Sequence, residues 1–221
     1  MSAPMLWLAV SLLAYALGAA LQARTRSPLM NPTLIACLIV VPLLLLTRTS
    51  YAAYSADARP LSALLTPAVV ALAVPLYRQR ALIRRAWRAV LLGGVAGTLL
   101  SSAVNALGAR LVQAPREVRL ALITDPVTSP VAYAIAQRLH GAPSLAAAFV
   151  ILVGLIGAVA LPGLLTRLGV HAPVARGIAL GAVAHGIGTG RAREESDLTG
   201  AAASVGMCLG ALVITLVSAV L

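Results

Sequence analysis

Residues 122–132, LITDPVTSPVA, lie within an apolar run yet contain an acid, two prolines and three hydroxyl side chains. Asp125-Pro126 is followed closely by Ser129-Pro130. Each proline removes a backbone donor and disfavours a helical conformation in the residue before it. Unpaired backbone in lipid costs several kcal/mol, so an interrupted helix is tolerated only inside protein or beside a wet cavity. The stretch therefore predicts a broken helix at a transport or binding site.

The composition predicts an all-α polytopic membrane protein. The chain has 221 residues, of which 60% are hydrophobic and 10% are charged, whereas soluble domains carry about 25% charged residues. No polar stretch is long enough to form a soluble domain, so we expect a single transmembrane domain over residues 1–221. The predicted hydrophobic segments, about eight with some discontinuous, are residues 5–22, 29–47, 61–77, 89–109, 120–139, 144–165, 174–189 and 198–221.

The charge pattern indicates membrane orientation. The net charge is +11, every basic residue is arginine, and the arginines cluster in short gaps between apolar runs. This is the positive-inside pattern, and no basic soluble face for nucleic acid is visible. Five arginines in residues 78–88 mark the strongest cytoplasmic gap. Eight crossings would place both termini on the same side, and the arginine bias between the gaps favours the outside; re-entrant segments would change that count.

Asp125 is the only acid inside an apolar run, so it is a candidate functional residue. Two interpretations stay open. The carboxylate binds a cation or titrates as a coupling group, or it caps a half-helix that begins at Pro126. Thr128 and Ser129 either satisfy freed backbone groups or face a polar ligand.

A second candidate is the segment HGIGTGR, residues 185–191. Its glycines, Gly186 and Gly188 among them, allow the backbone to unwind and its N–H groups to converge on an anion. Arg191 offers a planar fork for a carboxylate, while His185 and Thr189 offer hydrogen bonds. The alternative is a helix packing seam with a basic flank. A dinucleotide-binding motif is excluded because no strand precedes the glycines.

Other patterns carry weaker signals. Asn31-Pro32 opens the second run, and Asn31 is a further candidate for the substrate site. Gly93, Gly97 and Ser101 form a row of small residues suited to close helix packing. Two proline-broken segments, residues 66–75 and 124–130, lie one in each half and suggest an inverted repeat. We see no nucleophile–base set, metal-ligand cluster or cofactor motif, and expect no enzyme.

Four stretches together resemble the LrgB/CidB (YohK-like) family of bacterial inner-membrane proteins. They are LMNPTLIA (29–36), LLTPAVVALAVPLYRQ (64–79), PVTSPVA (126–132) and ARGIALGAVAHGIGTGRAREE (175–195). The resemblance covers nearly the whole chain. It implies a multi-pass protein of the plasma membrane that forms homo-oligomers and works with a smaller LrgA/CidA-type partner.

The resemblance also implies two functions. One is transport of small 2-hydroxy or 2-oxo carboxylates of the glycolate, glycerate, lactate or pyruvate type, since a plastid relative resembles a glycolate/glycerate translocator. The other is holin/antiholin-like control of murein hydrolase activity and lysis. The family commonly has a lysine where Asp125 stands, so anion binding is not carried over to this position. We expect Thr128 and Ser129 to face residues 185–191 across a midplane cavity.

Overall fold

The computed structural model describes residues 5–25, 27, 30–64, 67, 70 and 73–220; the side chains of residues 73, 75, 76 and 82 are not described. Every regular element in these ranges is a helix, which confirms the all-α prediction. Much of the proline-broken segment 66–75 lies outside the described residues.

The helices fall into two compact units, residues 1–68 and 69–221, each described by itself. The first unit contains α1 (Leu6–Thr25), α2 (Pro32–Leu46), α3 (Tyr51–Asp57) and α4 (Arg59–Ala63). The second contains α5 (Ala73–Arg78), α6 (Arg80–Arg85), α7 (Trp87–Leu111), α8 (Arg116–Ile123), α9 (Ser129–Arg138), α10 (Pro143–Arg167), α11 (Pro173–Glu195) and α12 (Asp197–Ser218).

In the first unit, α1 and α2 pack closely where a side chain is missing. A Cβ on Gly18 would lie 2.7 Å from Pro32 Cα. The Asn31 side chain accepts hydrogen bonds from the backbone N–H groups of Thr33 at 2.9 Å and Leu34 at 3.3 Å. Asn31 is therefore the N-cap of α2, where proline in the first turn is well tolerated.

Four of the described helices are long and apolar enough to cross a membrane: α1, α7, α10 and α12. The last three belong to the second unit, where α7 and α10 each have 25 residues and α12 has 22. At 1.5 Å per residue, each exceeds the ~30 Å hydrocarbon core. These three helices frame the two interrupted segments.

Helix α11 reverses direction at His185, whose backbone is non-helical. Arg176 near its start forms an ion pair of 2.8 Å with Glu195 at its end, although 19 residues of straight helix would separate them by about 28 Å. Near the reversal, a Cβ on Gly188 would overlap the carbonyl oxygen of Leu180. Residues 173–195 therefore form a helical hairpin, called hairpin B, with arms of about 18 and 15 Å. Each arm reaches about half-way through a bilayer core.

Helices α8 and α9 form a second hairpin, called hairpin A, over residues 116–138. Arg116 Nη2, at its start, lies 3.5 Å from the carbonyl oxygen of Leu139, just past its end. A continuous helix would place these residues about 34 Å apart. A Cβ on Gly141 would lie 3.5 Å from Leu120 Cδ1, so both ends of the hairpin lie together. Residues 124–128 are the tip.

The two hairpins enter from opposite faces of the second unit. The base of hairpin A adjoins the start of α10, at Pro143, which defines face 1. At the base of hairpin B, Arg176 donates to the Pro162 carbonyl and the Thr166 hydroxyl near the end of α10, which defines face 2. Since α10 crosses between these faces, the hairpins point toward each other.

This topology refines the sequence-based segments. The run at residues 120–139 is discontinuous, as expected, and the run at residues 174–189 is also broken, where unwinding was one of two open interpretations. Both segments return to their own side, as in the re-entrant alternative, and neither crosses. Within the described residues, the break at residues 124–128 has an inverted counterpart at His185. The pairing with residues 66–75 suggested by the proline pattern stays a prediction, because much of that segment lies outside the described residues. The proline criterion missed His185 because no proline stands there.

Regrouping by face sharpens the arginine asymmetry. Within residues 73–220, face 2 holds Arg78, Arg80, Arg84, Arg85, Arg88, Arg167, Arg176, Arg191 and Arg193, and face 1 holds Arg110, Arg116, Arg119 and Arg138. The positive-inside rule then favours face 2 as cytoplasmic. Arg138 is therefore assigned to face 1 and not to the cytoplasmic face, because hairpin A returns to the face from which it enters.

Small residues let hairpin B lie directly against α12. A Cβ on Gly181 would overlap the carbonyl oxygen of Ala203, and one on Gly206 would lie 2.6 Å from the carbonyl oxygen of Ile178. Ala202 and Ala203 are fully buried in this seam. Close backbone contact of this kind is how helices associate where lipid offers no hydrophobic driving force.

Gly181→Ala should destabilise the protein, because its methyl would require hairpin B to move off α12. We expect a loss of at least ~1–3 kcal/mol, seen as a lower melting temperature and a smaller monodisperse fraction in detergent. Gly163→Ala in α10 is the matched control, since a Cβ there has no neighbour within 4 Å. It should be neutral or slightly stabilising. Equal behaviour of the two variants would contradict the seam.

The re-entrant topology predicts a pattern of thiol labelling. In a background with Cys37→Ala and Cys208→Ala, single cysteines at Arg116 and Arg138 should react with a membrane-impermeant maleimide from the same face. Cysteines at Arg80 and Glu194 should react only from the opposite face. If hairpin A were instead a crossing helix, the first two positions would label from opposite faces.

Candidate functional site

The tip of hairpin A is a buried loop. Helix α8 ends at Ile123, and Thr124 Oγ1 donates to the Leu120 carbonyl at 2.8 Å, where the chain can no longer continue the helix into Pro126. Asp125 and Val127 are both 0% exposed. Thr128 is the N-cap residue of α9, but its side chain makes no capping hydrogen bond. Its Oγ1 is buried without a partner among the described residues.

Helix α7 holds this tip through polar side chains. Asn105 Nδ2 donates to Asp125 Oδ1 at 2.8 Å, and Ser102 Oγ donates to the Ile123 carbonyl. Asp125 Oδ2 is buried without a partner in the described part of the chain. The helix-cap interpretation of Asp125 does not match this geometry, because α9 begins at Ser129 and Asp125 bonds to α7 instead. The coupling interpretation stays a prediction.

The tip of hairpin B is His185, which is 3% exposed. Its φ of 46° and ψ of −128° lie in a region that residues with a Cβ rarely adopt. Such backbone strain costs about 1–3 kcal/mol and persists only where the surroundings hold it. Thr189 Oγ1 donates to the His185 carbonyl at 2.7 Å, while His185 Nε2 is buried with no described partner.

The two tips converge on α12 at Gly210. The carbonyl oxygen of Pro126, Thr98 Oγ1 and the carbonyl oxygen of Ala182 lie 3.1, 3.2 and 3.8 Å from where a Cβ on Gly210 would stand. One group comes from hairpin A, one from α7 and one from hairpin B just before its tip. The absence of a side chain at Gly210 therefore lets both breaks reach the same point.

Helix α10 closes the other side of hairpin B. A Cβ on Gly157 would lie 2.7 Å from Ala184 Cβ, and one on Gly154 would lie 3.4 Å from the Ala184 carbonyl and 3.2 Å from Ile187 Cδ1. The chain reversal is thus clamped between α10 and α12. This packing accounts for the persistence of the strained backbone at His185.

Four buried side-chain atoms lack a partner in the described residues: Thr98 Oγ1, Asp125 Oδ2, Thr128 Oγ1 and His185 Nε2. Two lie in or beside the tip of hairpin A, one is the tip of hairpin B, and Thr98 contacts the meeting point. An unmet polar group costs about 1–3 kcal/mol. Their concentration here makes this region the candidate site for a polar ligand.

The interrupted helices add backbone charge to this site. Helix α9 and the second arm of hairpin B each begin next to a tip, where their first N–H groups carry partial positive charge. Helix α8 and the first arm end there, with free carbonyl groups of opposite sign. Broken helices in secondary transporters use these ends to bind anionic groups and cations respectively.

The other predicted site residues are dispersed. Ser129 begins α9 and is half-buried, while Gly188 is buried against the first arm. Gly186 is exposed, and a Cβ there would meet nothing within 4 Å. Arg191 lies about 9 Å along the second arm from the tip and pairs with Glu194 at 3.1 Å. Asn31 belongs to the first unit, so its role at the site stays a prediction, as do those of the others.

Sequence reasoning missed the contribution of α7 and Gly210. Glycine and hydroxyl residues recur along α7, and Gly93, Gly97 and Ser101 drew attention as a packing row. The buried row is shifted by one residue, to Gly94, Thr98 and Ser102. The polar character of Thr98, Ser102 and Asn105 on one helix face was the signal that distinguishes the two rows.

Arg176 fastens the base of hairpin B. Its Nε and Nη2 donate to the Glu195 carboxylate at 2.8 Å each. It also donates to the Val170 carbonyl at 3.0 Å and to groups at the end of α10. The hydrogen bonds from Arg176 lower the pKa of the Glu195 carboxyl, so this clasp is charged at neutral pH.

These features define a multi-pass helical membrane protein in which two opposed re-entrant hairpins meet at a polar centre. The LrgB-like family model matches residues 11–221, and the chain belongs to that family. Together with its apolar helices, this makes it a bacterial inner-membrane protein.

Relatives share most of their length with this chain. It is 32% identical to the uncharacterized protein YxaC of Bacillus subtilis, over 90% of this chain and 86% of the relative. It is also 32% identical to YwbG of the same organism, over 82% and 81%. The holin-like protein CidB of Staphylococcus aureus is 29% identical, over 95% and 91%. No solved structure matches the chain.

At position 185, glycine should give a more stable protein than alanine, which is the reverse of their order inside a helix. His185→Gly should be more stable than His185→Ala by about 1 kcal/mol, because glycine adopts this backbone without strain. The measurement is thermal unfolding in detergent. At Ala179, which lies within the first helical arm of hairpin B, Ala179→Gly should instead lose about 1 kcal/mol. If glycine were also less stable than alanine at position 185 by about 1 kcal/mol, the backbone at His185 would be unstrained.

Proposed function

We propose that the chain is a secondary transporter that passes a small polar solute between the tips of hairpins A and B. The observation that carries this proposal is the convergence of two broken helices from opposite faces on one buried polar centre. Alternating access requires a central site that each half of the protein can open to its own side. The opposed hairpins are suited to act as the two gates.

We further propose that the solute is a small 2-hydroxy or 2-oxo carboxylate. The comparisons name no substrate, so this class rests on the family resemblance and on the site's chemistry. The N-terminal ends of α9 and of the second arm of hairpin B suit a carboxylate group, and Thr128 and His185 suit a hydroxyl or keto oxygen. Asp125 would repel the anion unless a cation or proton accompanies it, which supports coupled transport.

Holin-like activity is the second candidate, and the names of relatives favour it over carboxylate transport. CidB of Staphylococcus aureus is described as holin-like. As a holin-like protein, the chain would control cell lysis as an oligomer together with an LrgA/CidA-type partner. The buried tip supports the carrier instead: Asp125, Val127 and Thr124 are at most 1% exposed, whereas an open pore would be lined by wet side chains.

Proteoliposomes containing the full chain should distinguish the candidates. A carrier should exchange labelled glycolate or pyruvate with saturation and should retain a trapped dye such as calcein. Thr128→Ala and His185→Ala should reduce exchange at least tenfold, because each removes a polar group from the centre. The measurement is initial uptake rate against substrate concentration.

Thr215→Ala is the matched control. Thr215 is exposed on α12, and its hydroxyl donates to the Ala211 carbonyl of the same helix and to no other group among the described residues. Its exchange should equal that of the unmodified protein. Leakage of calcein without saturation would favour the holin-like candidate. If no 2-hydroxy or 2-oxo acid is exchanged but another polar solute is, the protein is a carrier and the proposed substrate class is wrong.

A further inference from the structure

A polar pocket lies at face 2 of the second unit, away from the hairpin tips. Its volume is about 340 Å³, and its walls come from α5, Gln79, the second arm of hairpin B and the start of α12. Its lining includes Val74, Arg78, Gln79, Arg193, Asp197 and Gly200. This pocket, called the Arg78–Arg193 pocket, plays no part in the proposed transport site.

Two guanidinium groups in this pocket have no partner in the described part of the chain. Neither Arg78 nor Arg193 forms a hydrogen bond or an ion pair there. Neighbouring arginines are engaged by rings: Arg80 lies 4.5 Å from the centre of the Tyr77 ring, and Arg88 lies 5.4 Å from that of Trp87. Arg84 and Arg85 also lack a described partner, but they lie outside the pocket, so Arg78 and Arg193 are the available guanidinium groups that share one cavity.

Packing holds Arg193 in place. A Cβ on Gly200 would lie 3.1 Å from Arg193 Cα and would overlap its side-chain stem, so the stem lies directly on α12. Arg193 and Arg78 both line the pocket. Gln79, next to Arg78 in the chain, adds an amide group to the lining. Two arginines facing one cavity suit an anion with several oxygens, such as a phosphate.

The surroundings place the pocket at the depth of lipid headgroups. It opens at the end of the membrane helices, next to the arginine-rich residues 78–88. Val74, Tyr77 and Trp87 are 50%, 69% and 52% exposed. Aromatic side chains at this level mark the membrane interface, and exposed apolar side chains beside a basic pocket offer a surface for acyl chains.

The geometry points to this pocket as a binding site for the phosphate of an anionic phospholipid headgroup in the cytoplasmic leaflet. Basic pockets between membrane helices on this side bind such lipids through the same chemistry. Asp197 lines the pocket too, but it is exposed at the first turn of α12 and leaves the two guanidinium groups in excess. The lipid would join α5 to hairpin B and so steady the base of a gate.

The test measures lipid binding to the full chain after delipidation in detergent. Phosphatidylglycerol should raise the melting temperature, and native mass spectrometry should detect one retained phosphatidylglycerol. Phosphatidylcholine should do neither. Arg78→Gln with Arg193→Gln should remove at least half of the shift. Arg84→Gln with Arg85→Gln is the matched control, since both are exposed arginines of the same stretch outside the pocket, and it should keep the shift.

Two results would overturn the inference. Equal losses in both double variants would mean that phosphatidylglycerol recognises only the general basic face. An equal shift from free glycerol 3-phosphate would mean that the pocket holds a soluble anion and not a lipid. Arg78→Gln alone should weaken retention without affecting folding, since that side chain is exposed and without a described partner, so the test survives if the double variant fails to fold.

Discussion

The constraint on which the second unit depends is that interrupted backbone cannot face lipid. Each break frees several N–H and carbonyl groups that a continuous helix would satisfy. The protein meets this cost by burying both breaks among helices that do cross. Helix α7 supplies Ser102 and Asn105 to the first break, and α10 and α12 supply glycines that let backbone approach the second. The polar residues and glycines of the crossing helices therefore lie where they bury and satisfy the two breaks.

Burial of the two breaks also creates the candidate functional site. Once two half-length hairpins are brought in from opposite faces, their tips meet at mid-depth, and groups that a soluble protein would expose to water become a sheltered polar centre. The strain at His185 and the unpartnered atoms of Thr98, Asp125 and Thr128 are tolerated only because the surroundings are rigid. The ion pair between Arg176 and Glu195 fixes the hairpin at its base, and α10 and α12 hold the residues next to its tip.

Much of this was predictable, and the reasons for the gaps are physical. Prolines report a helix break directly, so residues 122–132 were found from local chemistry alone. His185 breaks a helix without proline, and its glycine-rich surroundings indicated unwinding but not reversal. The predicted row of Gly93 and Gly97 does approach Ile178 and Ala182 of hairpin B. The more deeply buried row lies one residue further along α7, and only a packed neighbour such as Leu209, which approaches Gly94, shows this.

The sequence by itself determined that the protein is helical and embedded in the membrane, where one helix must break, and which family it belongs to. These follow from local properties: hydropathy, proline chemistry and motif identity. Only the tertiary structure decided that residues 116–138 and 173–195 turn back, that they enter from opposite faces, and that their tips meet at Gly210. Apolar segments that cross and apolar segments that return have the same composition, because both bury their length in the same medium. The distinction lies in contacts between residues far apart in the chain, such as Arg176 with Glu195.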